Sequence, residues 1–283
     1  MTSIRVDGED LDVTHYAAMH GKRIFWTLQA LKGLGVKSVV EVGSHPWVMT
    51  AAIMDEPEID LLATISAEET VLWPDDIEPT DVTHELVTQR RNRANIKTYS
   101  FNIERRRIKI QETPDAVLAC EVIEHLVRSP HTMLLNINDW LSVDGVLVIT
   151  TPNGTQMMNP FGRQPRMPAY RAHCYERHSF VYGLPQLIDL VELCGFTVVD
   201  SGYSSPYPCT GMQKARKMLA SFPIRYLSEK FDRMLYVVAR KIRDVRCLPR
   251  TPAMYGPSTS WEYISDAKHL SPAAKKAICA DGD

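Results

Sequence analysis

What this sequence has little of narrows it first. It carries six cysteines in 283 residues, none in a C-x-x-C pair, and several sit inside apolar runs such as DAVLAC and LVELCG. That excludes a disulfide framework and predicts reduced core thiols. No apolar stretch approaches the ~20 residues that a membrane helix needs. The start, MTSIRVDGEDLDVTHY, lacks the basic opening and apolar centre of a secretory signal. The expectation is a cytoplasmic protein without a membrane partner. Formal net charge is −2, so no global positive field gathers nucleic acid. There is no internal repeat and no low-complexity tract. No G-x-G-x-x-G follows any apolar run, which sets aside a hydride-transferring dinucleotide enzyme.

What is present is alternation. With 45% hydrophobic residues, the chain can build one large domain with additions, or two small ones. Residues 15–33 carry apolar positions at helical spacing and end at Gly33, a candidate C-cap. Short β-branched runs then occur at 38–42, 60–65, 116–120 and 145–150, with a weaker one at 97–101. Helical patterns fall at 47–54, 82–91, 121–127 and 130–141 between them. LPQLIDLVELCG is punctuated as a helix, with Pro185 near its start and Gly195 past its end. FTVVDSG and DRMLYVVARK complete the strands. Near-continuous apolar strands alternating with helices predict an α/β fold, a mostly parallel seven-stranded sheet with helices on both faces. Residues 1–36 read as a helical lead and 37–243 as the main domain, with a helical insertion at 211–230. Residues 244–283 read as a tail.

The stretch VVEVGSHPWVMT has the layout of a strand, a loop and a helix. Gly43 lets the backbone pass close beneath a ligand. Ser44 is placed to cap the helix, whose N–H groups favour an anionic group. The same layout also serves as a plain strand-to-helix turn with no ligand.

Taken in order, VVEVG, NIE (102–104), DAVLACEVIEHL (115–126), DGVLVITTPNG (144–154), LCGFTVV and DRMLYVVARK resemble the class I S-adenosylmethionine-dependent methyltransferases. The nearest type is the bacterial subgroup with E-x-x-E-H-L after strand four and T-P-N after strand five. The resemblance implies a Rossmann-like fold with S-adenosylmethionine as cofactor. It places Glu41, Gly43, Ser44 and His45 at the methionine end, with Cys120 and Glu121 lining that side. Asn102 and Ile103 would meet the adenine. Two departures stand out. His45 and Trp47 replace the usual glycines, and strand two, LLATISAEE, offers Thr64 or Ser66 where an acid normally grips the ribose, Glu68 lying further on. A hydroxyl makes one hydrogen bond there, without the charge assistance of a carboxylate.

Methyl transfer requires an aligned acceptor and, for a hydroxyl, a proton acceptor. In CEVIEHL, Glu121, Glu124 and His125 stand at i, i+3 and i+4, on one face if that segment is helical. Two carboxylates and an imidazole suit a divalent ion such as Mg²⁺. HCYERHSFVY adds His173 and His178. This layout is similar to the small-RNA 3′-terminal 2′-O-methyltransferases and the quinone-pathway O-methyltransferases. By that resemblance Glu121, Glu124, His125 and His178 would hold the ion. Without one, His125 and His178 are the candidate general bases. The plainer reading has Glu124 and His125 solvating a helix start. The basic run TQRRNRANIKTYSFNIERRR reads more readily as a solvated face than as an anion site.

These features lead to an expected S-adenosylmethionine-dependent O-methyltransferase acting on a sugar, glycan or secondary metabolite. A terminal RNA ribose is the alternative acceptor, and low positive charge argues against it. A degenerate fold serving as a non-catalytic binding or scaffold subunit is the alternative from a different class.

Overall fold

The computed structural model describes residues 1–66, 79–104, 107–126, 130–154, 181–204 and 232–246. His178, with His173, Glu68, the 211–230 insertion and most of the tail, lies outside them. The centre of the sheet follows directly from composition. β3 (Ser38–Val42), β4 (Asp60–Ser66), β6 (Arg93–Ser100), β7 (Ala116–Cys120) and β8 (Val146–Pro152) run parallel. In β3, Val40 and Val42 face one apolar cluster while Val39 faces the other. A strand buried on both faces has no polar side to alternate with. α1 (Thr14–Gly33) and α2 (Val48–Met54) supply Ile24, Leu28, Leu31 and Ile53 to one cluster. α3 (Pro130–Trp140) and α4 (Leu184–Leu193) supply Leu134, Ile137, Leu187 and Leu190 to the other. Helices therefore cover both faces.

Among the described residues ten strands form one sheet, in the order β2-β1-β5-β6-β4-β3-β7-β8-β10-β9. The seven expected strands are the contiguous block from β6 to β9, where β9 is Phe196–Ser204 and the antiparallel β10 is Met234–Lys241. Three more strands extend the β6 edge. Residues 82–91, expected to be helical, instead form most of β5 (Thr80–Val87) and the turn after it. β5 pairs antiparallel with β6 from Thr80↔Ser100 to Val87↔Arg93. A turn at Thr88–Arg91, with Arg91 at φ 65°, closes the hairpin. β-branched residues and a tight turn outweighed a short helical spacing. The lead is helical only from Thr14. Before it, Asp7 and Gly8, at φ 51° and 87°, make a two-residue turn between β1 (Ser3–Val6) and β2 (Glu9–Asp12). Both central residues in the left-handed region mark the turn favoured by strand twist.

β3 leads to β4 on one side, while β7 pairs on its other side. Strand order thus reverses between β3 and β7, and a ligand cleft belongs beyond their carboxyl ends. At the opposite end, Asp115 accepts the backbone N–H groups of Lys37 and Ser38, 2.9 Å each, and pins the two strands in register. Asn138, Trp140 and Cys194 serve the core, as expected for Cys194.

Lys241, at the end of β10, is buried. Its ammonium donates to the carbonyls of Asn138 and Leu141, 2.6 Å each, and meets Asp244 at 2.7 Å. The cation so placed satisfies carbonyls at the C-terminal end of α3 and complements its dipole. Lys241→Met would leave those carbonyls buried and unpaired. It should lower the unfolding free energy by roughly 2–4 kcal/mol in urea titration, with ligand affinity at the far end of the sheet unchanged.

Candidate functional site

Glu41 is the fourth residue of β3 and only 4% exposed. Its Oε2 accepts the Thr50 hydroxyl of α2 at 2.5 Å. Burial pushes its carboxyl up to about 8, against the opposing effects of the Thr50 hydrogen bond and the Arg23 charge. Below that pH the acid is mostly neutral in the fold. Gly43 follows at φ 77°, and its N–H donates to Ile65 at the end of β4. This is a backbone conformation that glycine adopts without strain.

Ser44 is buried but does not cap α2, contrary to expectation. The helix begins at Val48, with Trp47 at its N-cap in the left-handed conformation and no side-chain cap. A cis peptide joins His45 to Pro46, and the Ser44 carbonyl accepts the Trp47 N–H. That turn places the N-cap position three residues beyond Ser44, at Trp47, so Ser44 is outside capping range. His45 is exposed, whereas Trp47 is buried.

The β7 turn departs further from expectation. Glu121, Glu124 and His125 are not on an α-helix. Glu121 is in the left-handed region at φ 59°, and a single 3₁₀ turn covers Ile123–His125. Two bonds to β8 hold Glu121 there: its N–H donates to the Thr150 carbonyl at 2.8 Å, and its carboxylate accepts the Thr150 hydroxyl at 2.9 Å. A non-glycine residue at positive φ needs such surroundings. Glu124 is fully buried, and its Oε2 accepts the Thr151 hydroxyl at 2.9 Å. Burial, then the neighbouring Glu121 charge, raises its carboxyl well above the usual carboxylate range. Its other oxygen lies 4.0 Å from Nε2 of His125, a side chain 35% exposed.

Sequence reasoning missed one contributor, α1. Tyr16, His20 and Arg23 stand at i, i+4 and i+7 on its length. Arg23 is 2% exposed, and its Nη2 donates to the Tyr16 hydroxyl at 3.0 Å. The Tyr16 and His20 rings lie 4.2 Å apart. Burial, with the Arg23 charge second, lowers His20 to about 4, so its ring is neutral at pH 7. The Arg23 charge also acts on Glu41, Cys120 and Glu124. α1 therefore brings a guanidinium over the ends of β3 and β7. The signal was legible as polar groups interrupting the apolar face of HYAAMHGKRIFWTLQALKG.

The remaining predicted residues divide. Cys120 ends β7 partly buried, and burial raises its thiol to about 11, so it is no thiolate nucleophile at pH 7. Ser66 ends β4 partly exposed, while the fully buried Thr64 shares its hydroxyl with Thr98 at 2.8 Å. Of the two hydroxyls, Ser66 is the one at the strand mouth. Asn102 accepts the Glu104 N–H at 3.1 Å. Ile103 is fully buried in the core, and its carbonyl accepts Nδ2 of Asn136. Within the basic run, Arg90 and Arg93 are exposed and meet Asp55 and Glu85.

Two groups can be weighed against this donor set. A zwitterionic amino-acid end fits, because Arg23 offers a cation and Glu41 and Glu121 offer carboxyls at the same strand ends. A divalent ion does not fit the described residues, where no three His, Cys, Asp or Glu side chains gather as ligands. With Glu121 at a left-handed turn and only a 3₁₀ turn over Ile123–His125, the three do not stand on the one helical face that the sequence spacing suggested.

A family profile described as a methyltransferase domain matches residues 37–201. Curated proteins gave no match. Solved structures gave distant likenesses. A Listeria monocytogenes protein assigned as an S-adenosylmethionine dependent methyltransferase is 13% identical, with a TM-score of 0.48, covering 79% of this chain and 99% of that one. The N-methyltransferase NodS of Bradyrhizobium japonicum, in complex with S-adenosyl-L-homocysteine, is 14% identical at a TM-score of 0.45, covering 79% and 87%. An S-adenosylmethionine dependent methyltransferase of Mesorhizobium loti is 14% identical at 0.44, covering 75% and 96%.

The buried acid makes a pH prediction. Glu41 is raised in the fold, so the unfolded state binds fewer protons between the ordinary carboxylate range and about pH 8. Its contribution to stability is whole below that window and is lost as pH rises through it. Urea unfolding from pH 5 to 8 should show stability falling, and Glu41→Gln should fall with a shallower slope.

Proposed function

We propose that this chain, which belongs to the methyltransferase-domain family, uses S-adenosylmethionine to methylate an oxygen of a sugar, glycan or secondary metabolite. The observation that carries the reading is the pairing of His125 with Glu124 at the mouth of β7, beside the Glu41–Arg23 end of the cleft. When bound, the cofactor supplies a methyl group on a sulfonium, already activated for in-line displacement. What remains for the protein is orientation and a proton.

In this reading Arg23 receives the carboxylate of the methionine end, and Glu41 and Glu121 face its ammonium. Gly43 lets the backbone run beneath it, Ser66 takes one ribose hydroxyl, and Asn102 borders the adenine. His125 takes the acceptor's hydroxyl proton at Nε2, and the imidazolium so formed faces Glu124 at 4.0 Å. Removing the proton as the oxygen attacks is what a hydroxyl acceptor needs and a preformed amine does not. A small, uncharged acceptor suits the near-neutral chain, whose formal charge is −2, better than a polyanion would. Cytoplasmic residence is part of the same proposal.

Two measurements test this. Calorimetry should give micromolar binding of S-adenosylhomocysteine to the wild type. Gly43→Val should weaken it by at least about tenfold, because a β-branched residue cannot sit at that positive φ without strain. In a mass-spectrometric screen of hydroxylated acceptors, His125→Ala should lower kcat about a hundredfold or more while cofactor affinity holds. Wild-type protein that binds no cofactor sinks the enzyme reading. Unchanged kcat in His125→Ala removes His125 as the base.

A further inference from the structure

The loop after β3 carries Trp47 where a glycine was expected, and the ring's position decides whether the cleft is open. The indole does not lie in the mouth. It is 9% exposed and packs into the apolar cluster on the α1–α2 side, with Ile4 of β1, Leu86 of β5 and Ile96 of β6. Its neighbour across the cluster edge is His84 of β5, ring centroids 5.2 Å apart at 62°, an edge-to-face contact. His84 is held in turn. Its Nδ1 lies 2.7 Å from Oδ2 of Asp7, while Oδ1 of Asp7 accepts the Glu85 N–H at 2.8 Å. The His84 bond, then that of Glu85, keeps the Asp7 carboxyl below its usual range. An ionised carboxylate only accepts, so Nδ1 of His84 carries the proton and donates it. Asp7 itself occupies the left-handed turn of the β1–β2 hairpin, and its N–H donates back to the Glu85 carbonyl at 2.9 Å.

We propose that the accessory strands β1, β2 and β5 are a positioning device for the cofactor loop, acting through the chain Asp7–His84–Trp47. This rests on the reading of the β3 loop as the cofactor site. A glycine-rich loop leaves its backbone free to settle around a ligand. Here one anchored aromatic ring fixes the turn from Ser44 to Trp47 in advance and keeps its own bulk out of the cleft. Preorganising a loop raises affinity by removing the cost of ordering it on binding. Trp47 and His84 are positioning residues, and neither touches the cofactor in this account. The device also gives the three extra strands a role, since the parallel core closes without them.

Trp47→Gly separates this idea from its opposite. Glycine is unstrained at φ 67° and also serves as an N-cap, so the backbone is relieved and only the ring is lost. Affinity for S-adenosylhomocysteine should nonetheless fall roughly tenfold, and His84→Ala should weaken it roughly two- to tenfold. The double variant should be little weaker than Trp47→Gly alone, because the two residues act in one chain. His84→Phe, which keeps an aromatic edge but loses the Asp7 bond, should restore only part of the affinity lost in His84→Ala. Equal or tighter binding by Trp47→Gly overturns the proposal, as does a fall in melting temperature across the series with affinity unchanged. Amide hydrogen exchange of residues 43–47 supplies the independent arm. It should quicken in His84→Ala and recover only in part in His84→Phe. If the wild type bound no cofactor, the functional reading would fail, and the exchange result alone would still uphold or overturn the strut.

Discussion

Glu41 ends the central part of β3 almost sealed from water, bonded to Thr50 and within the field of Arg23. A buried acid must either stay protonated or meet a cation. Here both answers are present, since burial holds the carboxyl neutral up to about pH 8 and Arg23 opposes that shift. The constraint reaches outward. It requires α1 to lie across the strand ends so that Arg23 arrives from above, and it requires α2 to begin close enough for Thr50 to donate. The loop between β3 and α2 is shaped by those two demands.

The sheet is built around the same point. Its five parallel strands put the carboxyl ends of β3 and β7 side by side, and the Asp115 pin at their other ends holds the register that sets Glu41 opposite Leu118, two residues before Cys120. On the β8 side, the hydroxyls of Thr150 and Thr151 hold Glu121 and Glu124 in turn. One pair of threonines thus organises both acids of the E-x-x-E-H stretch. On the other side, the hairpin strands reach the loop through His84 and Trp47. The site is framed from both edges of the sheet by side chains that never enter it.

Much of this was legible in the sequence, for physical reasons. The parallel strands show as unbroken β-branched runs because both of their faces are buried. The helix at 184–193 shows through Pro185 and Gly195, and the family pattern orders the block from β3 to β10. What escaped was decided by tertiary context. TDVTHELV carries a helical spacing that the β6 edge overrode by offering an open ladder. Glu121, Glu124 and His125 look like one helical face until the Thr150 bonds hold Glu121 in the left-handed region. Ser44 has the right residue type for a cap, but the His45–Pro46 turn displaces the helix start. Arg23 escaped because polar groups interrupting the apolar face of a helix do not show by themselves which of them is buried. His178, the last of the expected ligands, lies outside the described residues.

The proposed binding of the amino-acid end turns on the protonation of Glu41. A neutral acid that meets the ammonium of an incoming amino-acid group must ionise and give its proton to the buffer. Calorimetry of S-adenosylhomocysteine binding at pH 7, in buffers of different ionisation enthalpy, reads that proton directly. The account predicts a net release of protons that Glu41→Gln abolishes. Binding whose heat is the same in every buffer, or whose proton release persists in Glu41→Gln, would contradict it.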